Sequence, residues 1–340
     1  MKAAIYNPYL DTLGGGERYT MAIATALLKQ GYVVDVEWKD TETRKKLEER
    51  FGIDLKEINF VDDIKRGDGY DVCFWVSDGS IPTLKSRKNF LHFQVPFKNV
   101  SGKSLINRFK LTRINKVICN SNFTKNIIDK EFGVESIVLY PPVSVDLFKA
   151  KRKENIILNV ARFSTLLQSK HQDVLIKTFK NFHISNSGYK LILVGGVEVG
   201  ADDYVEKLEQ SAKGYPIEII KSPDFKTLRD LYDRAKFFWS ASGYGVNETT
   251  DPQKVEHFGI TVVEAMAAKC VPIVFNGGGH KEIINQGMNG YLWSDTGELY
   301  RYTKMLVEDD KSRKDKSITA NHDAQKYSYE EFENKFITLL

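Results

Sequence analysis

The chain has 340 residues, with 49 Lys+Arg against 45 Asp+Glu, a net charge of +4 and three cysteines. That length suits two domains, and 42% apolar with 28% charged residues excludes disorder and collagen-like repeats. No run approaches 18 apolar residues, and Met1–Leu10 lacks the apolar core of a signal peptide; Cys73, Cys119 and Cys270 lie in separate apolar runs, so buried reduced thiols in a cytosolic protein are expected.

Taken in order, the pattern alternates strand and helix. Lys2–Tyr6 reads as a strand, and Gly15–Gln30 as a helix with Tyr19, Ala22, Ile23, Ala26 and Leu27 on one face, closed by Gly31. Val33–Trp38, Tyr70–Val76, Asn89–Phe93 and Lys116–Asn120 read as strands, with a charged helix at Thr41–Phe51. Ser121 caps a helix carrying Ile127 and Ile128, and Ser136–Leu139 is a strand ending at Pro141-Pro142. Pro141–Ala150 is the expected linker. A second alternation follows, with strands at Asn155–Val160, Lys190–Val194, Ile217–Lys221, Phe237–Ala241 and Val271–Phe275 and a helical tail from Gly297 to Leu340. The expected fold class is α/β: two doubly wound parallel sheets, Rossmann-like, facing across a cleft, with ligands beyond the carboxyl ends of strands.

Those ends carry the candidate residues. After the first strand comes Gly14-Gly15-Gly16-Glu17-Arg18, where glycine lets backbone amides approach a ligand and a helix N-terminus favours anions. Tyr19 stands where a dinucleotide fingerprint needs its third glycine, and Phe97 replaces the upstream glycine of a P-loop before Gly102-Lys103-Ser104. In the second half, Glu256 and Glu264 bracket a loop-to-helix junction through Phe258, Gly259 and Ile260. A carboxylate there suits a hydroxyl-rich ligand, because it accepts two hydrogen bonds from a diol. Gly277-Gly278-Gly279-His280 opens the next helix, and Gly243–Lys254 reads as a mobile lid or specificity loop. Arg162 follows a strand and Lys170 comes eight residues later; both suit a diphosphate. His92 ends a strand at the functional edge. The chain has no Asp-x-Asp and no clustered His/Cys set, so no metal site and no cofactor are expected.

The charge is uneven. Residues 85–130 hold eleven basic groups and one acidic group, while residues 146–340 hold 27 of each. Leu105, Ile106, Phe109 and Ile114 interleave with Lys103, Arg108, Lys110 and Arg113, compatible with a helix on an anionic membrane surface. No recognition motif supports nucleic acid.

These motifs, with Asn120-Ser121, Tyr140-Pro141-Pro142-Val143 and Glu264-Ala265-Met266-Ala267, give a chain that resembles the retaining glycosyltransferases of family four, the group 1 glycosyltransferases of GT-B fold. The glycine signature looks closest to the mannosyltransferase branch. The resemblance implies residues 1–145 as an acceptor-side domain, 146–322 as a nucleotide-sugar donor domain, and 323–340 as a helix crossing back to the first. It implies Arg162 and Lys170 on the donor diphosphate, Glu256 on the donor sugar, Glu264 on the ribose, and Phe258, Gly259 and Ile260 lining sugar and diphosphate. Gly15 and Gly16 would face the diphosphate or the acceptor, and His92 looks like the family's cleft histidine. The implied reaction is metal-independent retaining transfer, first of mannose from GDP-mannose, to a glycan or lipid-linked acceptor in polysaccharide assembly. The place is the cytoplasm, peripheral to its membrane. A GT-B-type sugar-nucleotide epimerase and a silent sugar-binding module are the alternatives. Lys269 departs from the family by standing where a glycine is usual after the helix of Glu264.

Overall fold

A computed structural model describes residues 1–40, 42–166 and 168–340. The chain divides into two units, Met1–Pro142 with Tyr329–Leu340, and Val143–Ser328. The first carries β1 (Lys2–Tyr6), α1 (Gly15–Lys29), β2 (Val33–Glu37), α2 (Glu42–Phe51), β3 (Ile58–Val61), β4 (Val72–Val76), β5 (Lys88–Phe93), α3 (Leu105–Leu111), β6 (Lys116–Cys119), α4 (Asn122–Phe132) and β7 (Ile137–Val138). The second carries β8 (Glu154–Val160), α5 (Gln172–Ser185), β9 (Lys190–Gly195), α6 (Asp202–Ala212), β10 (Ile217–Lys221), α7 (Phe225–Arg234), β11 (Ala235–Ser240), α8 (Ile260–Ala267), β12 (Val271–Phe275), α9 (His280–Ile283), β13 (Tyr291–Trp293), α10 (Thr296–Glu308) and α11 (Asp310–Ala324). The last helix, α12 (Tyr329–Ile337), belongs to the first unit.

Each unit is built on one sheet, ordered β3-β2-β1-β4-β5-β6-β7 in the first and β10-β9-β8-β11-β12-β13 in the second. The strand pairs are parallel, as continuous apolar runs such as Val72–Val76 require when both sheet faces are covered. In α1 the stripe Tyr19, Ala22, Ile23, Ala26 and Leu27 is buried, and Gly31 at φ +79° ends the run in a conformation few other residues adopt. Ser121 caps α4, its hydroxyl accepting the Thr124 amide at 3.0 Å.

Two strands escaped sequence reading: β3 and β13 are short edge strands, so neither has a strong period. α3 falls within the stretch expected as a surface helix and buries none of its residues. The start of the expected helix at Thr41 lies outside the described residues, and α2 runs from Glu42. The three cysteines are free and buried. Among the described residues, no helix is long and apolar enough to cross a membrane.

Candidate functional site

In the second sheet the strand order reverses between β8 and β11, so the loops leaving these neighbours diverge and open a crevice at their carboxyl ends. β8 runs out into Arg162, and β11 runs out into Ser242. Gly195, at the end of β9, makes this exit possible: a Cβ there would come within 1.9 Å of the Ala161 carbonyl oxygen. The Arg162 carbonyl accepts from Gln172 Nε2 at 3.0 Å, tying the strand exit to the start of α5. Its side chain is 55% exposed, with Glu198 at 3.7 Å from the guanidinium.

Lys170 meets Glu256 in this unit. Lys170 Nζ donates to Glu256 Oε2 at 2.9 Å and to Ser242 Oγ at 3.1 Å, and Ser242 Oγ donates to the same carboxylate oxygen at 3.1 Å. The three groups close a triangle largely withdrawn from solvent, the Lys170 and Glu256 side chains being 13% and 22% exposed. Burial works against charge on Glu256, but Lys170 beside it, with His280 and His257, holds the carboxyl down at about 2. Ser242 was not singled out from the sequence; its signal was its place directly after the strand Phe237–Ala241.

The loop holding Glu256 is set by close backbone packing. The Gly279 amide donates to the Glu256 carbonyl at 2.8 Å. A Cβ on Gly278 would lie 2.0 Å from that carbonyl oxygen, and one on Gly279 would lie 2.4 Å from Phe258 Cα. Gly259 has φ +117° and leads into α8, so glycine is needed here for conformation as well as room. His280 is 1% exposed and its Nδ1–H donates to the Phe275 carbonyl at 2.9 Å. Burial lowers its pKa, against the pull of Glu256 and that carbonyl, so the ring is neutral at pH 7. The segment Gly243–Lys254, expected as a mobile lid or specificity loop, is tied to the neighbouring glycine turn through Glu248. Glu248 accepts the Gly278 amide at 2.8 Å and pairs with Lys281.

Glu264 sits on α8 and is buried, one oxygen accepting the Tyr232 hydroxyl at 3.0 Å. Phe258 is buried against Tyr327, edge to face at 5.3 Å, and Ile260 is the first residue of α8. Arg162, Lys170, Glu256, Phe258, Gly259, Ile260 and Glu264 thus all belong to the second unit.

Gly15, Gly16 and His92 belong to the first. Gly16 faces Gln94, just past β5, whose Oε1 would lie 2.1 Å from a Cβ there, so a larger residue would displace that side chain; Gln94 was not foreseen. The mouth of the glycine turn already holds a carboxyl: Glu17 accepts the Gly14 amide at 2.7 Å and the Thr12 hydroxyl at 2.8 Å, and burial raises its pKa against the pull of these bonds. His92 corrects an expectation. It does not line an open edge; it is 1% exposed, stacked on Tyr19 at 4.2 Å, with Nδ1 donating to the Ile118 carbonyl at 3.2 Å. Burial pushes its pKa down to about 3, so it is a neutral core ring beneath α1. It lies there because residues alternate between sheet faces, and its parity on β5 directs it at α1.

Two doubly wound parallel sheets, the second with an ionised carboxylate, a lysine and an arginine at its switch point, are the frame of a GT-B glycosyltransferase. The family model for glycosyl transferases group 1 matches residues 146–323, just over half of the chain, and the protein belongs to that family. It is 28% identical over 236 residues to the GDP-Man:Man(3)GlcNAc(2)-PP-Dol alpha-1,2-mannosyltransferase of Dictyostelium discoideum, covering 64% of this chain and 44% of that protein. It is 25% identical over 211 residues to the alpha-1,3/1,6-mannosyltransferase ALG2 of Rhizomucor pusillus, covering 52% of this chain and 46% of that one. The matched region is thus less than half the length of either relative. In fold it is similar to Anabaena Alr3699/HepE, crystallised with UDP, at a TM-score of 0.80, 18% identity and 99% coverage of both chains. A glycosyltransferase from Rickettsia africae aligns at a TM-score of 0.78 and 18% identity, over 99% of this chain and 97% of that one.

Proposed function

We propose that the protein is a retaining mannosyltransferase that takes mannose from GDP-mannose to a glycan or lipid-linked acceptor at the cytoplasmic face of a membrane. The observation that carries this reading is the Lys170–Ser242–Glu256 triangle at the switch point of a group 1 transferase domain. The two mannosyltransferase relatives support the choice of sugar, and the GDP-Man activity of the Dictyostelium protein supports the base.

Glycosyl transfer leaves a nucleoside diphosphate, and negative charge grows on the leaving oxygen as the bond to the sugar breaks. Preorganised cations lower the barrier most where that charge develops. Arg162, half-exposed at the strand exit, and Lys170 supply that charge in this proposal, so the reaction proceeds without a metal. Glu256, kept ionised by Lys170, accepts hydrogen bonds from the mannose hydroxyls, and the backbone at Phe258, Gly259 and Ile260 lines sugar and diphosphate. Glu264, oriented by Tyr232, receives the ribose hydroxyls. Attack comes from the face the diphosphate leaves, through an oxocarbenium-like state. In the first unit, the Glu17 carboxyl already takes the Gly14 amide, which is then not free for a diphosphate, so Gly15 and Gly16 are assigned to a hydroxyl-bearing acceptor. His92 contributes by holding Tyr19 beneath that turn.

A thermal-shift panel of GDP, UDP, dTDP and their sugars tests the donor, since a ligand of the native state raises the melting temperature. GDP and GDP-mannose should give the largest shifts, and transfer should persist in EDTA. A response to UDP-sugars alone refutes the donor. Transfer unchanged in Glu256→Ala and Lys170→Ala refutes the site.

A further inference from the structure

The basic stretch of the first unit contains a helix that buries none of its own residues. In α3, Leu105, Ile106 and Phe109 are 82%, 70% and 73% exposed, and no residue of the helix is buried. At helical spacing these three side chains span an arc of roughly 100°. Arg108 and Lys110 flank that arc on its two sides, with Lys103 before the helix and Arg113 after it. A seven-residue helix is marginal in water by its own propensity, so its surroundings hold it.

Those surroundings form a strap. The Glu131 carboxylate accepts the amides of Asn99, Val100 and Gly102 at 3.0, 2.9 and 3.3 Å. Asn99 and Ser101 both have φ in the left-handed region, at +60° and +55°. A Cβ on Gly102 would lie 2.6 Å from the Glu131 carbonyl oxygen. Ser104 then caps the helix, its hydroxyl accepting the Asn107 amide at 3.3 Å. Behind it, Leu111 and Ile114 pack partly buried against a core cluster that includes Leu91, Phe93 and Phe132. The apolar face is therefore held outward on a fixed base.

We infer that α3 is a wedge for an anionic bilayer: Leu105, Ile106 and Phe109 enter the headgroup–acyl boundary while Arg108, Lys110, Lys103 and Arg113 engage lipid phosphates. The geometry is that of an interfacial helix, apolar on one arc and cationic on both borders. A second copy of the chain fits less well, because a two-fold contact between apolar arcs brings like-charged borders together. The wider surface agrees, with eleven basic groups and one acidic group between residues 85 and 130. The inference deepens the functional reading, since it gives the means of reaching a lipid-linked acceptor, and rests on that reading for this purpose alone.

The test is co-sedimentation of the full chain with phosphatidylcholine vesicles, with and without phosphatidylglycerol, in the absence of donor and acceptor. The wild type should bind the anionic vesicles. The triple variant Leu105→Ser/Ile106→Ser/Phe109→Ser should lose at least about tenfold in partitioning. Arg108→Gln/Lys110→Gln should lose roughly fivefold per cation. None of the changed residues is buried, Lys110 being half-exposed and the others exposed, and circular dichroism checks that the fold is kept. Wild type that ignores anionic vesicles, or a triple variant that binds them as well, overturns the inference. So does a wild-type dimer in sedimentation that the triple change makes monomeric. The GDP-mannose thermal shift, run without vesicles, should be unchanged in the triple variant. If vesicle binding holds and that shift is absent, the donor reading fails alone.

Discussion

At the scale of single residues, Lys170 and Glu256 define each other. The carboxylate keeps the ammonium turned toward it, and the ammonium keeps the carboxylate ionised despite burial. Lys170→Ala should therefore lower kcat/KM for transfer by about 10²–10³-fold, the cost of removing one preorganised charge from a developing anion. Lys170→Arg should recover part of it, measured by steady-state kinetics on folded protein. The pair also has a pH signature. Glu256 titrates at about 2 when folded, below the usual carboxylate range, so folding favours its charged form. That stabilisation is full above the unfolded value, about 4.3, and is lost as pH falls towards 2. In Glu256→Gln, the unfolding midpoint should fall less steeply across that acid range than in wild type, as chemical denaturation at several pH values would read.

At the scale of elements, close backbone approaches place the site, and one helix end shows a departure from the simplest solution. Gly195, Gly278 and Gly279 each sit where a Cβ would strike main-chain atoms, so strand exits and turns interlock. After α8, Lys269 has φ +60°, the conformation glycine adopts without strain. The helix end is stabilised from elsewhere. Half-buried Lys153 donates to the Ala268 carbonyl at 2.5 Å and to the Tyr232 carbonyl at 3.2 Å, and its positive charge complements the negative end of the helix. Lys269→Gly should remove the left-handed strain and stabilise the second unit by about 1 kcal/mol. This corresponds to a rise of roughly 2–4 °C in its melting temperature by calorimetry.

At the scale of the whole molecule, the chain ends where it began. Phe332 and Phe336 of α12 are buried with Tyr19, Phe74 and Phe90 of the first unit, some 240 residues or more from those partners in sequence. Phe336→Ala should cost about 3–5 kcal/mol. Hydrogen exchange should find the lost protection in β1, β4 and α1 and leave the second unit unchanged. The parallel α/β architecture and the glycine and glutamate motifs were legible from sequence alone. Strand-helix alternation and continuous apolar runs are local properties, set by which side chains must be buried, and a glycine between strand and helix announces a close approach. Arg162 was legible as a candidate by its place after a strand, Lys170 by its place before a helix, and Glu256 by the loop-to-helix junction it shares with Glu264. Their partners were not. Ser242 joins the triangle because β11 lies beside β8, and Glu17 occupies the glycine turn because of how the first helical turn folds back. His92 lies inward because strand parity and the sheet's packing put it under α1. Residue types and their periods determined the elements and the chemistry on offer; only the tertiary structure decided which groups touch, because contact depends on strand order and backbone approach across long stretches of sequence.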